Sequence, residues 1–299
     1  MPESQPQEAP LDHRWLADMI ARALTEDLGG DPGRDVTTQA TIAADAFVTG
    51  ELVAREAGVL AGIDVLDEVF RQVASRWGLE VPAVRVLIAD GTRVRPGDVI
   101  AEIAGPGHVI LSAERTLLNL MSHASGIATH TRMWSDMLAG TEARVLDTRK
   151  TTPMLRELEK YAVRCGGGVN KRMGLFDVAL IKDNHVVATG GVAEAILAVK
   201  ARFPEVGIQV EVERLAQAHE AIDAGARFLM LDNMSESAMA EVVREVRARE
   251  AEVGRVELEA TGGLTLDRAA AVAATGVDYL SVGALTHSSP ALDLALDLH

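Results

Sequence analysis

The chain has 299 residues, 48 % of them apolar and 3 % aromatic, and a formal net charge of −15. That length admits one large α/β domain or two domains. The acidic balance excludes the basic footprint of a nucleic-acid protein, and so few aromatics exclude a base-stacking platform. The one cysteine, Cys165, excludes a disulfide framework and fits a reducing cytoplasm. It reads as a packing residue before a catalytic thiol. No apolar run reaches the length of a membrane span.

The N-terminal "MPESQPQEAPLDHRW" is polar and proline-bearing. It lacks the basic and apolar regions of a signal peptide and reads as a flexible tail over about the first 12 residues. "FVTGELVAREAGVLAG" (47–62) has the β-branched character of strands. "LDEVFRQVASRWG" (66–78) has helical spacing of apolar residues. "VRVLIADGTRVRPGDVIAEIAG" (84–105) reads as strand, turn, strand. This hairpin resembles those of biotinyl and lipoyl carrier domains but lacks their modifiable lysine, so a structural role is expected. "LSAERTLLNLMSHASGIATHTRMWSDMLAG" (111–140) predicts a long helix, broken or bent at Gly126. Beyond it, strands at 144–148, 178–182, 209–213, 227–231, 256–260 and 279–283 alternate with helical patterns such as 192–203, 214–225 and 266–276. That alternation implies right-handed βαβ units and a parallel sheet. No strand has edge character, which favours closure into a barrel over an open doubly wound sheet.

The ends of these strands carry the chemistry. They deliver Arg149 and Lys150; Lys182, Asp183 and Asn184; Glu211 and Glu213; Asp232 and Asn233; Glu259 with "TGG" (261–263); and Gly283. In a βα barrel the C-terminal strand ends converge on one mouth. Residues 144–182 hold nine cations and four anions, a +5 island in an otherwise acidic chain. Such an island suits a small anionic ligand. Within it, "CGGGVNKRMG" (165–174) combines a glycine run, expected to fold tightly over that ligand, with Lys171 and Arg172. "EATGG" and "SVGA" end the last two strands, where barrels bind phosphate. Glu211 and Asp232 suit Mg²⁺, ribose hydroxyls or a counter-ion role. His123, His130, His185, His219 and His287 show no metal-ligand spacing. Of these, His185 in "KDNH" is the one at the mouth.

The segment "RVLDTRKTTPMLRELEKYAVRCGGGVNKRMGLFDVALIKDNH" (144–185) resembles the signature of the quinolinate phosphoribosyltransferase family. "EDLGGDPGRDVTT" (26–38), "REAGVLAG" (55–62), "AERTLLNLMSHASGIATHT" (113–131), "LMLDNM" (229–234), "LEATGG" (258–263) and "DYLSVGALTHS" (278–288) extend the likeness from about Glu26 to the end. The resemblance implies an α/β sandwich-like N-terminal domain (1–124), an incomplete βα, TIM-like barrel (125–285), and a C-terminal segment (286–299) packing back on the first domain. It implies a Mg²⁺-dependent reaction of quinolinate with phosphoribosyl pyrophosphate, giving nicotinate mononucleotide, pyrophosphate and carbon dioxide in NAD biosynthesis. It also implies a cytoplasmic homodimer or larger homo-oligomer with a shared active site, and no nucleic-acid or membrane partner. By the same resemblance, Arg115 of a partner subunit, Thr148, Arg149, Lys171 and Arg172 hold the dicarboxylate. Lys150 and Lys182 serve the pyrophosphate and the reacting centre, and Glu211 and Asp232 are the ribose and Mg²⁺ acids. Thr261, Gly262, Gly263, Gly283, Ala284 and Leu285 bind the 5′-phosphate. Lys171 stands where many members carry histidine, so a titrating imidazole is not expected there. A sibling transferase acting on a monocarboxylate and a non-catalytic phosphosugar-binding protein are the alternatives.

Overall fold

The computed structural model describes residues 10–299. The part of the predicted tail in residues 1–9 lies outside the described residues. The rest of that stretch is not tail. Leu11 is buried, and Asp12 caps the first helix by accepting the N–H groups of Arg14 and Trp15.

In chain order the elements begin α1 (His13–Leu28), α2 (Val36–Thr41), β1 (Phe47–Ala54), β2 (Gly58–Val59), α3 (Ile63–Trp77), β3 (Ala83–Val86), β4 (Arg93–Val94), β5 (Val99–Pro106) and α4 (Gly107–Met137). They continue β6 (Arg144–Leu146), α5 (Arg156–Cys165), β7 (Val178–Ile181), α6 (Asp183–Thr189), α7 (Val192–Arg202), β8 (Gly207–Val212), α8 (Leu215–Asp223), β9 (Phe228–Asp232), α9 (Glu236–Val253), β10 (Glu257–Thr261), α10 (Ala269–Ala273), β11 (Tyr279–Ser281), α11 (Ala284–His287) and β12 (Leu294–Leu298). No helix among the described residues is long and apolar enough to cross a membrane.

The chain divides into two compact units. Of the described residues, one unit takes 10–132, Thr151–Gly167 and Leu285–His299. Its sheet has the order β12-β1-β5-β3, antiparallel throughout. The C-terminal strand pairs with β1 from Gly50↔Leu298 to Ala54↔Leu294. Leu16, Ile20, Leu24 and Leu28 form the buried stripe of α1, and Val65, Leu66, Val69, Phe70 and Val73 that of α3.

One feature of this unit departs from the sequence reading. Helix α4 runs unbroken through Gly126. The glycine is there for closeness: a Cβ would lie 2.0 Å from the carbonyl oxygen of Pro290. The two compact units also interleave along the chain. Helix α5, from the middle of the chain, belongs to this unit because its polar groups bond within it. The buried Glu159 accepts from His123 Nε2 (2.9 Å) and from the Thr152 N–H (3.0 Å), and the Tyr161 hydroxyl donates to Asp90 (2.7 Å). Lys160 is fully buried, and the Arg164 guanidinium lies 5.4 Å from the centre of the Tyr161 ring. The +5 island is therefore not one surface, because part of it serves the packing of α5.

The other unit takes Met133–Lys150 and Gly168–Ala284. Its six parallel strands run β6-β11-β10-β9-β8-β7. That is the cyclic order of a barrel, with β6 returning to lie beside β11. Among the described residues no ladder joins β6 to β7, so the barrel is incomplete and full closure is not reached. The open edge of β6 is partly covered by a parallel bridge, Leu146↔Val169.

Strand alternation and register place the inward-facing side chains in layers. Leu146, Val169, Phe228 and Tyr279 form an apolar plug, with the two rings 5.7 Å apart. Met230, Glu259 and Glu211 are in register with one another and with Tyr279, and Thr261 pairs with Asp232 at the strand ends.

Replacing Gly126 with alanine should lower stability by about 1–3 kcal/mol, the usual range for overpacking. Guanidinium unfolding should show a lower midpoint with an unchanged slope; an unchanged midpoint would contradict the packing argument.

Candidate active site

The mouth of the parallel sheet is built from strand ends and from the segment between β6 and β7. Asp147, just past β6, is fully buried. Its carboxylate accepts the Lys171 N–H (2.8 Å) and the Asn170 side-chain amide (2.7 Å). Its own N–H donates to the Val169 carbonyl (3.2 Å). "CGGGVNKRMG" thus joins the sheet edge through the parallel bridge at Val169. Gly166 caps α5, with its Cα against Ala128 and Thr131 of α4, and Gly167 turns the chain with φ +90°. Cys165, ending α5, is a packing residue whose thiol burial pushes up to about 12.

Two arginines of this unit, Arg149 and Arg172, are near enough for their charges to repel. Arg172 is half-buried and donates Nη1 to the Val178 carbonyl (2.7 Å). Burial first, and then the nearby Arg149 charge, lower its pKa from the usual arginine range, and Asp177 partly offsets them. The Arg149 Nε is buried with no hydrogen-bond partner. Such an arrangement is unfavourable until an anion enters it. Beside these, the Thr148 hydroxyl accepts the Lys150 N–H (3.0 Å), and Lys150 is exposed.

Two carboxylates, Glu211 and Asp232, likewise lie near enough for their charges to repel. Burial first, and then the Asp232 charge, push the Glu211 pKa above the ordinary carboxylate range. Lys182 opposes the shift from 3.8 Å. Asp232 accepts from the Asn233 side chain (2.7 Å), and the Asn233 N–H donates to the Thr261 carbonyl (3.1 Å). Gly262 and Gly263 follow in left-handed backbone, Gly262 closely packed on Asn233. Gly283 and Ala284 lead into α11 after β11.

Thr148, Arg149, Lys150, Lys171, Arg172, Lys182, Glu211, Asp232, Thr261, Gly262, Gly263, Gly283 and Ala284 therefore all belong to the parallel-sheet unit, whereas Arg115 on α4 and Leu285 fall to the other. Lys171 is the member whose setting differs from the sequence reading. Its ammonium turns inward, 2.6 Å from a Glu259 oxygen and 3.2 Å from the Met230 sulfur. Glu259 is fully buried and takes a second hydrogen bond from Gln209 of β8. The sequence reading noted Glu259 only as a strand-end acid and missed Gln209. Their signal was faint: polar residues at alternate positions in otherwise apolar strands. His185 accepts the Lys182 N–H at Nδ1 (3.0 Å), a helix-start role. His123, His130 and His219 bond Glu159, Ser289 and Arg249. Among the described residues no group of three or more acids, histidines or cysteines is arranged as a ready metal site.

Fold and mouth define an α/β protein with an incomplete parallel barrel and a site of paired arginines and paired carboxylates. Residues 35–125 and 127–297 match the N-terminal and C-terminal domains of quinolinate phosphoribosyl transferase. The chain belongs to the quinolinate phosphoribosyltransferase family. It is 48 % identical over 287 residues to a carboxylating nicotinate-nucleotide pyrophosphorylase of Mycobacterium leprae, covering 94 % of this chain and 96 % of that relative. Identity to a probable enzyme of the same name from Bacillus subtilis is 39 %, over 96 % and 95 % of the two chains. The NadC structure from Streptococcus pyogenes superposes with a TM-score of 0.90 at 36 % identity, covering 98 % of this chain and 99 % of that one.

The raised Glu211 pKa fixes the sign of a stability prediction. Folding favours protonated Glu211, so its charge destabilises the fold above the raised pKa and not below the ordinary glutamate range. Glu211→Gln should raise Tm at neutral pH by about 1–3 °C. The gain should fade as pH drops through the raised pKa, while activity is lost. Calorimetry across that range checks it, and a stabilisation independent of pH would contradict it.

Proposed function

We propose that the pairs Arg149/Arg172 and Glu211/Asp232 form the substrate site of a transferase that converts quinolinate and phosphoribosyl pyrophosphate to nicotinate mononucleotide, pyrophosphate and carbon dioxide in NAD biosynthesis. Family membership along nearly the whole chain supports the reaction. The observation that carries the site is the arginine pair, half-buried and mutually repelling. Two guanidinium forks suit two carboxylates on adjacent ring carbons better than the single carboxylate of a nicotinate-type substrate.

The chemistry follows from the charges. The pyridine nitrogen forms a bond to the anomeric carbon of the ribose as the bond to pyrophosphate breaks, and the bonding pair leaves on pyrophosphate. Positive charge on the sugar in that transition state is met by Glu211 and Asp232, and negative charge on the leaving group by Lys150 and Lys182. The alkylated ring nitrogen is cationic. It stabilises the pair left on the adjacent carbon when carbon dioxide departs, and that carbon then takes a proton. Arg149, Arg172 and Thr148 hold the ring in place, and the turns at Thr261–Gly263 and Gly283–Leu285 hold the 5′-phosphate.

Mg²⁺ fits as a partner of Glu211 and Asp232, which supply two oxygen donors whose mutual repulsion a cation relieves. When bound, it would neutralise charge on the pyrophosphate. A homodimer with a shared site is supported by family membership and by exposed Leu175, Phe176 and Val187 close in sequence to Arg172 and Lys182. A cytoplasmic setting fits the single, unreactive cysteine.

Turnover assays with purified protein, quinolinate, phosphoribosyl pyrophosphate and Mg²⁺ test this reading; absence of both mononucleotide and carbon dioxide would end it. Arg172→Ala should raise the quinolinate KM about 10- to 100-fold, the loss of a charge-assisted contact, with little change for phosphoribosyl pyrophosphate. Equal losses for both substrates would contradict the assignment. Mixed dimers of Arg115→Ala and Lys182→Ala chains, each inactive alone, should regain part of the activity; no recovery in a demonstrated mixed dimer would mean each site is built from one chain.

A further inference from the structure

We infer that Glu259 and Gln209, inside the barrel beneath the mouth, are positioning residues for the transferase: together they clamp the ammonium of Lys171 as a fixed charge at the floor of the dicarboxylate site.

The geometry carries this in three steps. First, Lys171 is held at both ends. Its backbone N–H is fixed by Asp147, which also holds Asn170, and its ammonium is fixed by Glu259 at 2.6 Å. A lysine charge rides on a flexible four-carbon stem. Only such a double anchor gives it one location.

Second, the clamp is itself clamped. Glu259 is fully buried and Gln209 is 1 % exposed. The Gln209 amide donates to the Glu259 oxygen that Lys171 does not use. The contact crosses the sheet interior from β8 to β10, skipping β9, so the carboxylate is held from two sides.

Third, the layer is poorly explained by stability alone. A buried ion pair gains little over well-packed apolar residues of the same size. Leu146, Val169, Phe228 and Tyr279 form an apolar cluster in the same interior, so hydrocarbon packing is available to it. Glu259 is in register with Met230 and Glu211, one inward position below Asp232 and Thr261, and Gln209 is in register with Phe228. Lys171 also immediately precedes Arg172. Glu259 therefore fixes a cation on the residue next to Arg172 in the chain.

The inference rests on the transferase reading, and the experiment separates the two. Three variants are compared with the unchanged protein: Lys171→Met, Glu259→Gln, and both together. Each is measured for Tm, kcat and the KM of each substrate. Glu259→Gln should lower Tm, because it leaves the Lys171 ammonium buried without its carboxylate. It should also raise the quinolinate KM about tenfold, the scale of one lost charge-assisted contact, and leave the phosphoribosyl pyrophosphate KM within about twofold. The double variant removes both charges and should recover Tm. If the pair positions substrate, the double variant's quinolinate KM should stay as high as that of Lys171→Met. Recovery of KM together with Tm would make the pair structural and overturn the inference. So would an unchanged quinolinate KM in Glu259→Gln, or equal rises for both substrates. If one of these results appears while the unchanged protein makes mononucleotide, only this inference falls. If the unchanged protein makes none, both readings fall.

Discussion

The buried carboxylate of Asp147 is the constraint on which the mouth depends. It sits at the end of β6, where the barrel order is complete and the ladder to β7 is missing. A buried carboxylate without donors is costly. Here the donors come from the segment that fills the seam, the Asn170 amide and the Lys171 N–H. That requirement sets where Lys171 and Arg172 begin. Arg172 then reaches the carbonyl of Val178, at the start of β7, so one short stretch of chain spans from the last residue of one edge to the first of the other. The gap in the barrel is thereby converted into the cationic wall of the site.

Charge is arranged oppositely at two depths. On the floor, Lys171 and Glu259 are complementary and mutually satisfied. At the mouth, like lies near like: Arg149 lowers the pKa of Arg172, and Asp232 raises that of Glu211. The floor is a fixed scaffold. At the mouth the like charges are only partly offset, by Lys182 beside Glu211 and Asp177 beside Arg172, and a ligand that completes the balance would stabilise the fold by mass action. This is the sense in which site residues oppose stability, and why neutralising one of them is expected to strengthen the protein.

Much of this was legible in the sequence, for identifiable reasons. The six strands of the parallel sheet were readable because each is a short apolar run ending in a charged or glycine turn, a local signal. Arg149, Arg172, Glu211 and Asp232 were readable because they stand at those ends. What escaped was non-local. Nothing around Gly126 tells that it meets Pro290, so a glycine in a helix read as a break. Lys160 and Arg164 read as part of a basic surface because charge counting takes no account of which side chains a helix buries. Gln209 and Glu259 looked like ordinary strand polar residues. Their partnership needs the register of three strands, which no local window contains.

The same non-locality shapes how the chain must fold. Between β6 and β7 the backbone leaves the parallel-sheet unit, builds α5 within the other unit, and returns at Gly168. The last strand, β12, pairs with β1 near the opposite end of the sequence, Leu298 with Gly50. Neither unit is a contiguous segment, and the antiparallel sheet lacks an edge strand until the final residues are made. Closing such long loops carries an entropic cost that grows only slowly with their length. Stability therefore tolerates this connectivity, while the folding rate is expected to suffer. Within the parallel-sheet unit, Asp147 anchors Asn170 and Lys171 and the Val178 carbonyl takes Arg172, so the chain from Asn170 to Val178 is held at both ends. A binding arginine on a loop is precise only when both ends of that loop are fixed.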